Sequence, residues 1–265
     1  MTSNDDYLLR VQDLKKHFTL TRGGPGTAQW AVGTLKVVDG VTFDVRRGET
    51  LALLGAPRSG KSTLARLLLL LHPATAGQVF FAGRPLAHLR GAALREVRRR
   101  MQIIFQDPYS ALSPRLSVGQ IIAEPMDVHR LHTGSARAGK VSELLELVGL
   151  NPYFERRSPL EFSGAQRQRI AIARALALAP EFLIWDEPTS TLDPAAARGL
   201  LDLLSDVRRY FGLTYIVTTS DPALARSVAD RVAVMYEGRI VELGETEDVL
   251  ARPSHAYTRE LLAAS

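Results

Sequence analysis

The run Gly55-Ala-Pro-Arg-Ser-Gly-Lys-Ser62 limits what this chain can fold into more than any other stretch. It reads G-x-x-x-x-G-K-S, the spacing of a phosphate-binding loop. The apolar residues Leu51 to Leu54 before it predict a buried strand, and Thr63-Leu-Ala-Arg-Leu-Leu-Leu after it predicts a helix. Strand, glycine loop and helix in that order give the motif its meaning. Gly55 and Gly60 let the backbone curl so that successive N–H groups point at phosphate oxygens. The helix start aims its positive end at the same anion. Lys61 reaches the β- and γ-phosphates, and the Ser62 hydroxyl can ligate Mg²⁺. The expected nucleotide site therefore comprises Gly55, Ala56, Pro57, Arg58, Ser59, Gly60, Lys61, Ser62 and Thr63.

A chain of 265 residues holds one large domain or two small ones. It has no cysteine, which excludes disulfides, cysteine-ligated zinc and iron–sulfur clusters. Its polar, acidic N-terminus is not expected to be a signal peptide. Apolar runs such as Leu67 to Leu71 are too short to span a bilayer, so a soluble, cytoplasmic chain is expected. The net charge of +5 suits an anionic ligand or membrane surface, although most of it reads as solvated face.

Leu8 to Leu14 and Leu35 to Val45 read as strands, with a loop over Thr21 to Thr34 between them. Gly77 to Gly83, Met101 to Phe105, Glu181 to Trp185, Thr214 to Thr218 and Arg231 to Met235 read as further strands. Leu94 to Arg100 reads as a basic helix and Ile170 to Leu178 as an alanine-rich one. The stretch Ser117 to Leu150 is mostly helical, with Val141, Leu144, Leu145 and Val148 on one face. Alternating strands and helices argue for an α/β fold with a mainly parallel sheet, and roughly residues 107–160 are expected to form an inserted helical subdomain.

A P-loop enzyme needs a second acidic group for Mg²⁺ and a group that orients the attacking water. Leu183-Ile-Trp-Asp-Glu187 supplies both at one strand end. Asp186 is expected beside the metal and Glu187 beside the water. The alternative is a solvent-exposed acidic turn, against which Trp185 and its apolar neighbours argue.

With these residues in hand, the chain resembles the ATP-binding subunit of an ABC transporter over nearly its whole length. Phe162-Ser-Gly-Ala-Gln-Arg-Gln-Arg-Ile170 resembles the family's signature, usually L-S-G-G-Q. Gln106 matches the Q-loop glutamine, which contacts metal and attacking water, and Ser190-Thr-Leu-Asp193 matches the D-loop. Phe18 falls where the family stacks an aromatic ring on adenine. The resemblance implies a single nucleotide-binding domain over 1–265: a P-loop NTPase core, an N-terminal antiparallel β subdomain and the helical insertion. It implies ATP and Mg²⁺, and a head-to-tail dimer in which Ser163, Gly164, Ala165 and Gln166 face the γ-phosphate held by a second subunit. By itself, Ser163 before a helix is an anion site or a plain cap. The resemblance also implies transmembrane permease subunits, an extracytoplasmic substrate-binding protein and a place on the cytoplasmic face of the membrane.

Phe105-Gln-Asp-Pro-Tyr-Ser-Ala-Leu-Ser-Pro-Arg115, Val118 to Pro125, and the tail Pro253-Ser-His-Ala-Tyr-Thr-Arg-Glu-Leu-Leu262 resemble the oligopeptide, dipeptide and nickel importer branch. Three departures stand out. Ser220 takes the place of the switch histidine and reaches a γ-phosphate only through water. Ala165 replaces the second signature glycine and is strained if its φ must be positive. Pro57 removes one N–H from the loop, and Arg58 adds a charge facing solvent or a partner. A weakly catalytic or non-catalytic ATP-binding partner in a heterodimer is therefore the alternative to a hydrolysing subunit. A nucleic-acid ATPase is disfavoured, because aromatic and basic residues are not interleaved. Tyr109, Leu112, Leu116 and Ile121 are the apolar candidates for docking a membrane subunit. Arg98 to Arg100 read as a solvated face, His129 and His132 as structural or surface groups, and Trp30 as a partner anchor or a loop plug.

Overall fold

Strands that are apolar without alternation must be covered on both faces. Three such runs, Thr50–Leu54, Phe182–Asp186 and Thr214–Thr219, become strands buried at every position. The structure, a computed structural model, describes residues 6–22, 30–107, 112–190 and 192–264. The chain divides into two compact units, Met1–Leu89 with Ile216–Ser265, and Arg90–Tyr215.

The first unit opens with a long antiparallel hairpin of β1 (Tyr7–Arg22) and β2 (Trp30–Arg46). β3 (Thr50–Leu54) and α1 (Lys61–Leu68) follow, then β4 (Ala76–Phe81) and the short β5 (Arg84–Pro85). β1, β2, β4 and β5 form one antiparallel sheet in the order β2-β1-β4-β5. The stretch expected as a loop is shorter than Thr21 to Thr34. Thr19 pairs with Thr34, Leu20 with Gly33 and Thr21 with Ala31, so the ladder continues to Arg22 and Trp30. Glycine lowers strand propensity, but each continued ladder pair satisfies backbone groups that would otherwise need water. The glycines 23, 24 and 26 lie outside the described residues.

The second unit holds α2 (Gly91–Arg100), β6 (Met101–Ile104), α3 (Val118–Val128), α4 (Gly134–Leu147), α5 (Gly164–Leu176), β7 (Phe182–Asp186) and α6 (Pro194–Phe211). β6 and β7 pair in parallel, Ile103 beside Ile184. Arg100 clamps the start of this pair with two hydrogen bonds to the Glu181 carboxylate, at 2.6 and 3.0 Å. The helix expected from Ile170 starts six residues earlier, at Gly164, because Ser163 and Gln166 form a capping box there. The eighteen-residue α6 was not foreseen. It carries Asp193 as cap, Pro194 first inside and Gly212 after its end, the asymmetry that marks helix ends.

β8 (Thr214–Thr219) carries the chain from the second unit back to the first. There α7 (Pro222–Val228), β9 (Arg231–Tyr236), β10 (Arg239–Glu245), α8 (Thr246–Ala251) and α9 (Ala256–Ala263) complete the fold. β9 runs parallel to β3, Leu53 beside Ala233, and β10 returns antiparallel to β9. Ala52, Leu54, Val232, Val234, Val249 and Leu250 form a core cluster, against which Tyr257 of α9 packs.

Candidate nucleotide-binding site

The loop between β3 and α1 is held from several sides within the first unit. Gly55 N–H donates to the Thr219 carbonyl at 3.1 Å, tying the loop start to the end of β8. Gly238 N–H donates to the Ser59 carbonyl at 3.0 Å, and Asp39 N–H in turn donates to the Gly238 carbonyl at 2.9 Å. Hydrogen bonds from Arg239 and then His17 hold the Asp39 carboxyl down at about 2, so the side chain beside this brace stays ionised.

Two positions in the loop admit only glycine. A Cβ on Gly55 would stand 2.3 Å from the Met235 carbonyl oxygen. A Cβ on Gly60 would stand 2.4 Å from the Val37 carbonyl oxygen, and Gly60 also has φ 108°. Gly60 begins α1 without a side-chain cap, so among the described residues no side chain caps the helix start. Lys61 is buried, and its ammonium donates to the carbonyls of Gly55 at 2.7 Å and Ala56 at 3.1 Å. The Ser59 hydroxyl is buried with no hydrogen-bond partner among the described residues. A glycine cradle, an uncapped helix start, a lysine and an unpartnered buried hydroxyl fit a polyphosphate.

The remaining loop residues turn outward. Pro57 and Arg58 are exposed, and Arg58 has φ 68°. Ser62 and Thr63 are half-buried in the first turn of α1. Ser220 follows β8 directly, one residue past the carbonyl that receives Gly55 N–H. Asp221 next to it caps α7 by accepting from Ala223 N–H at 2.8 Å. Phe18 lies on β1 opposite Leu35, is 40% exposed, and has the Lys16 ammonium 4.9 Å from its ring centre. Its open face suits a stacked base.

In the second unit, Asp186 ends β7 and is only 2% exposed. Glu187 follows with φ 50°, a strained conformation for a residue with a side chain. Ser190 holds this turn by donating to the Glu187 carbonyl, with N–H at 3.4 Å and hydroxyl at 3.1 Å. The Gln106 amide nitrogen donates to the Ser190 hydroxyl at 3.2 Å, leaving its amide oxygen as an acceptor. Ser62 hydroxyl, Gln106 amide oxygen and Asp186 carboxylate are hard oxygen donors of the kind Mg²⁺ takes.

At the start of α5 the Ser163 hydroxyl accepts from Gln166 N–H at 3.3 Å, and the Gln166 amide oxygen accepts from Ser163 N–H at 3.0 Å. The hydroxyl is thus a cap and keeps its own proton to donate. Ala165 is the second residue of the helix and is not among the positive-φ residues, so no strain attends the missing glycine. A Cβ on Gly164 would meet nothing within 4 Å. Two residues escaped the sequence reading. Gln168, 1% exposed, donates to the Pro188 carbonyl at 2.9 Å and ties α5 to the Glu187 turn. The Tyr257 hydroxyl accepts from Ala56 N–H at 3.1 Å. The signal for Gln168 was its helical spacing inside the quoted signature; for Tyr257 there was none beyond the tail motif.

The docking expectation needs correction. Leu112 and Ile121 are 4% and 1% exposed and belong to the core, Ile121 because the apolar face of α3 closes against α5 and α4. Leu116 is half-buried, while Tyr109 and Thr191 lie outside the described residues. Burial lowers the His129 pKa, helped by Arg99 and Arg95, as suits a structural histidine. Among the described residues no group of three metal-ligating His, Cys, Asp or Glu side chains occurs. No described helix is long and apolar enough to cross a membrane.

A family model described as "ABC transporter" matches residues 38–190. The oligopeptide transport ATP-binding protein AppF of Bacillus subtilis is 42% identical over 263 residues, covering 99% of this chain and 79% of that protein. Among solved structures, cbiO1 of Clostridium perfringens, part of the ABC transporter complex cbiONQ, matches with TM-score 0.78 at 29% identity. That match covers 93% of this chain and 92% of cbiO1. The ATP-binding cassette MJ0796, a dimer in a post-hydrolysis state with ADP and Pi, matches with TM-score 0.77 at 25% identity. It covers 90% of this chain and 98% of that one.

Proposed function

The chain belongs to the ABC transporter family and is an ABC-type ATPase, and from that premise we propose that it powers a peptide importer. The observation that carries the cargo is the 42% identity to an oligopeptide transport ATP-binding protein over 99% of this chain. In this reading the adenine stacks on Phe18 and the phosphates lie in the loop from Gly55 to Thr63. Lys61, held by the Gly55 and Ala56 carbonyls, has a third N–H with which to neutralise the β- and γ-phosphates. Ser62, Gln106 and Asp186 would hold Mg²⁺, which would supply further positive charge against the phosphate oxygens.

Glu187 accepts a proton from the attacking water. The water oxygen bonds to the γ-phosphorus as the bond to the bridging oxygen of ADP breaks, and phosphate leaves. Its strained backbone fixes the Glu187 carboxylate on the turn that Ser190 and Gln168 hold. Ser220 contacts the γ-phosphate through water, a weaker contact than a histidine makes, so hydrolysis is slow rather than absent.

A second ATP-binding subunit pairs head to tail, and its γ-phosphate meets Ser163, Gly164, Ala165 and Gln166. The open space about Gly164 and the Ser163 hydroxyl, which keeps its proton to donate, support that surface. The chain works at the cytoplasmic face of the membrane with permease subunits and an extracytoplasmic binding protein. Cells carrying Lys61→Ala in place of the parent chain lose uptake of labelled oligopeptide by about 100-fold, the scale of one missing transition-state contact. Undiminished uptake contradicts the cargo reading.

A further inference from the structure

We propose that Tyr257, in the C-terminal helix α9, is a positioning residue for the phosphate-binding loop, its hydroxyl fixing the Gly55–Ala56 peptide that holds Lys61. The inference rests on the reading of the loop as the ATP site. In a trans peptide the C=O and the next N–H point opposite ways. The Gly55 carbonyl accepts from the Lys61 ammonium at 2.7 Å, and the Ala56 N–H donates to the Tyr257 hydroxyl at 3.1 Å. One peptide plane is therefore clamped between the tail helix and the lysine that meets phosphate.

The clamp has a reason in the sequence. Pro57 restricts the backbone of Ala56 on one side. Gly55 on the other side is the most permissive residue, so sterics alone leave the orientation of this peptide open. The tail that supplies the hydroxyl is itself fastened. Tyr257 stacks on Tyr236 with ring centres 4.0 Å apart. The Glu242 carboxylate of β10 accepts from Ser254 N–H at 2.8 Å, the Ser254 hydroxyl at 2.9 Å and His255 N–H at 3.1 Å. The tail motif Pro253–Leu262, to which the ATPase chemistry assigns no role, thereby becomes a wall of the nucleotide site.

Without the hydroxyl the peptide rotates, and only a fraction of loops present Lys61 correctly. The apparent affinity falls by that fraction. The test measures trinitrophenyl-ATP binding and the nucleotide-free thermal midpoint for the intact chain, Tyr257→Phe and Tyr257→Leu. The expected result is a loss of affinity of about tenfold in both variants, with only Tyr257→Leu, which also loses the ring, giving a large drop in midpoint. Binding by the Tyr257→Phe variant within about twofold of the parent overturns the proposal. So does an affinity loss that follows the midpoint, much larger for Tyr257→Leu than for Tyr257→Phe, because that is the mark of packing alone. A parent chain that does not bind the probe overturns the ATP-site reading first, and the positioning role falls with it.

Discussion

Gly60 and Gly164 are both motif glycines, yet they answer to different constraints. Gly60 has φ 108° and a Val37 carbonyl where its Cβ would lie, so its need is internal to this chain. Gly60→Ala is expected to cost at least about 2 kcal/mol and to remove nucleotide binding. Gly164 has open space, so Gly164→Ala leaves the thermal midpoint unchanged and affects only turnover in the paired state. Parallel thermal melts of the two variants check this, and equal destabilisation contradicts it. The sequence announced both glycines by spacing but could not separate them, because the atoms that crowd Gly60 come from Val37 and Met235, distant in sequence. Strain at Ala165 was likewise decided only by its helical backbone.

At the scale of elements, strands that bury both faces were legible as unbroken apolar runs, and β3, β7 and β8 lie where those runs lie. α6 was equally legible, since Asp193, Pro194 and Gly212 mark its ends and Leu200, Leu203, Leu204 and Val207 recur at i, i+3, i+4 and i+7 on its buried face. The tail anchor was invisible, since it depends on a carboxylate meeting donors twelve residues away. Burial pushes the Glu242 carboxyl up, but the N–H groups of Ser254 and His255 and the Ser254 hydroxyl outweigh it and hold it at about 2, below its ordinary 4.5. A lowered carboxyl stabilises the fold above its ordinary value and loses that contribution as pH falls. Thermal midpoints of the parent are therefore expected to fall between pH 4.5 and about 2 more steeply than those of Glu242→Gln. Parallel curves contradict the anchor.

At the scale of the whole molecule, one chain carries a phosphate loop in one unit and a capped signature helix in the other. The proposed head-to-tail pair uses each against the complementary part of a second cassette. Family and chemistry were legible because the motifs are local and ordered along the chain. The docking face was not, because Leu112 and Ile121 look alike as core or as surface until burial is known. The central claim is that this chain hydrolyses ATP with Glu187 receiving the proton from water. Steady-state Mg²⁺-ATP hydrolysis by the intact chain beside its Glu187→Gln variant tests it most directly. The account predicts measurable turnover in the parent, lower by about 100-fold or more in the variant, with ATP binding retained in both. Turnover that survives Glu187→Gln unchanged would contradict it.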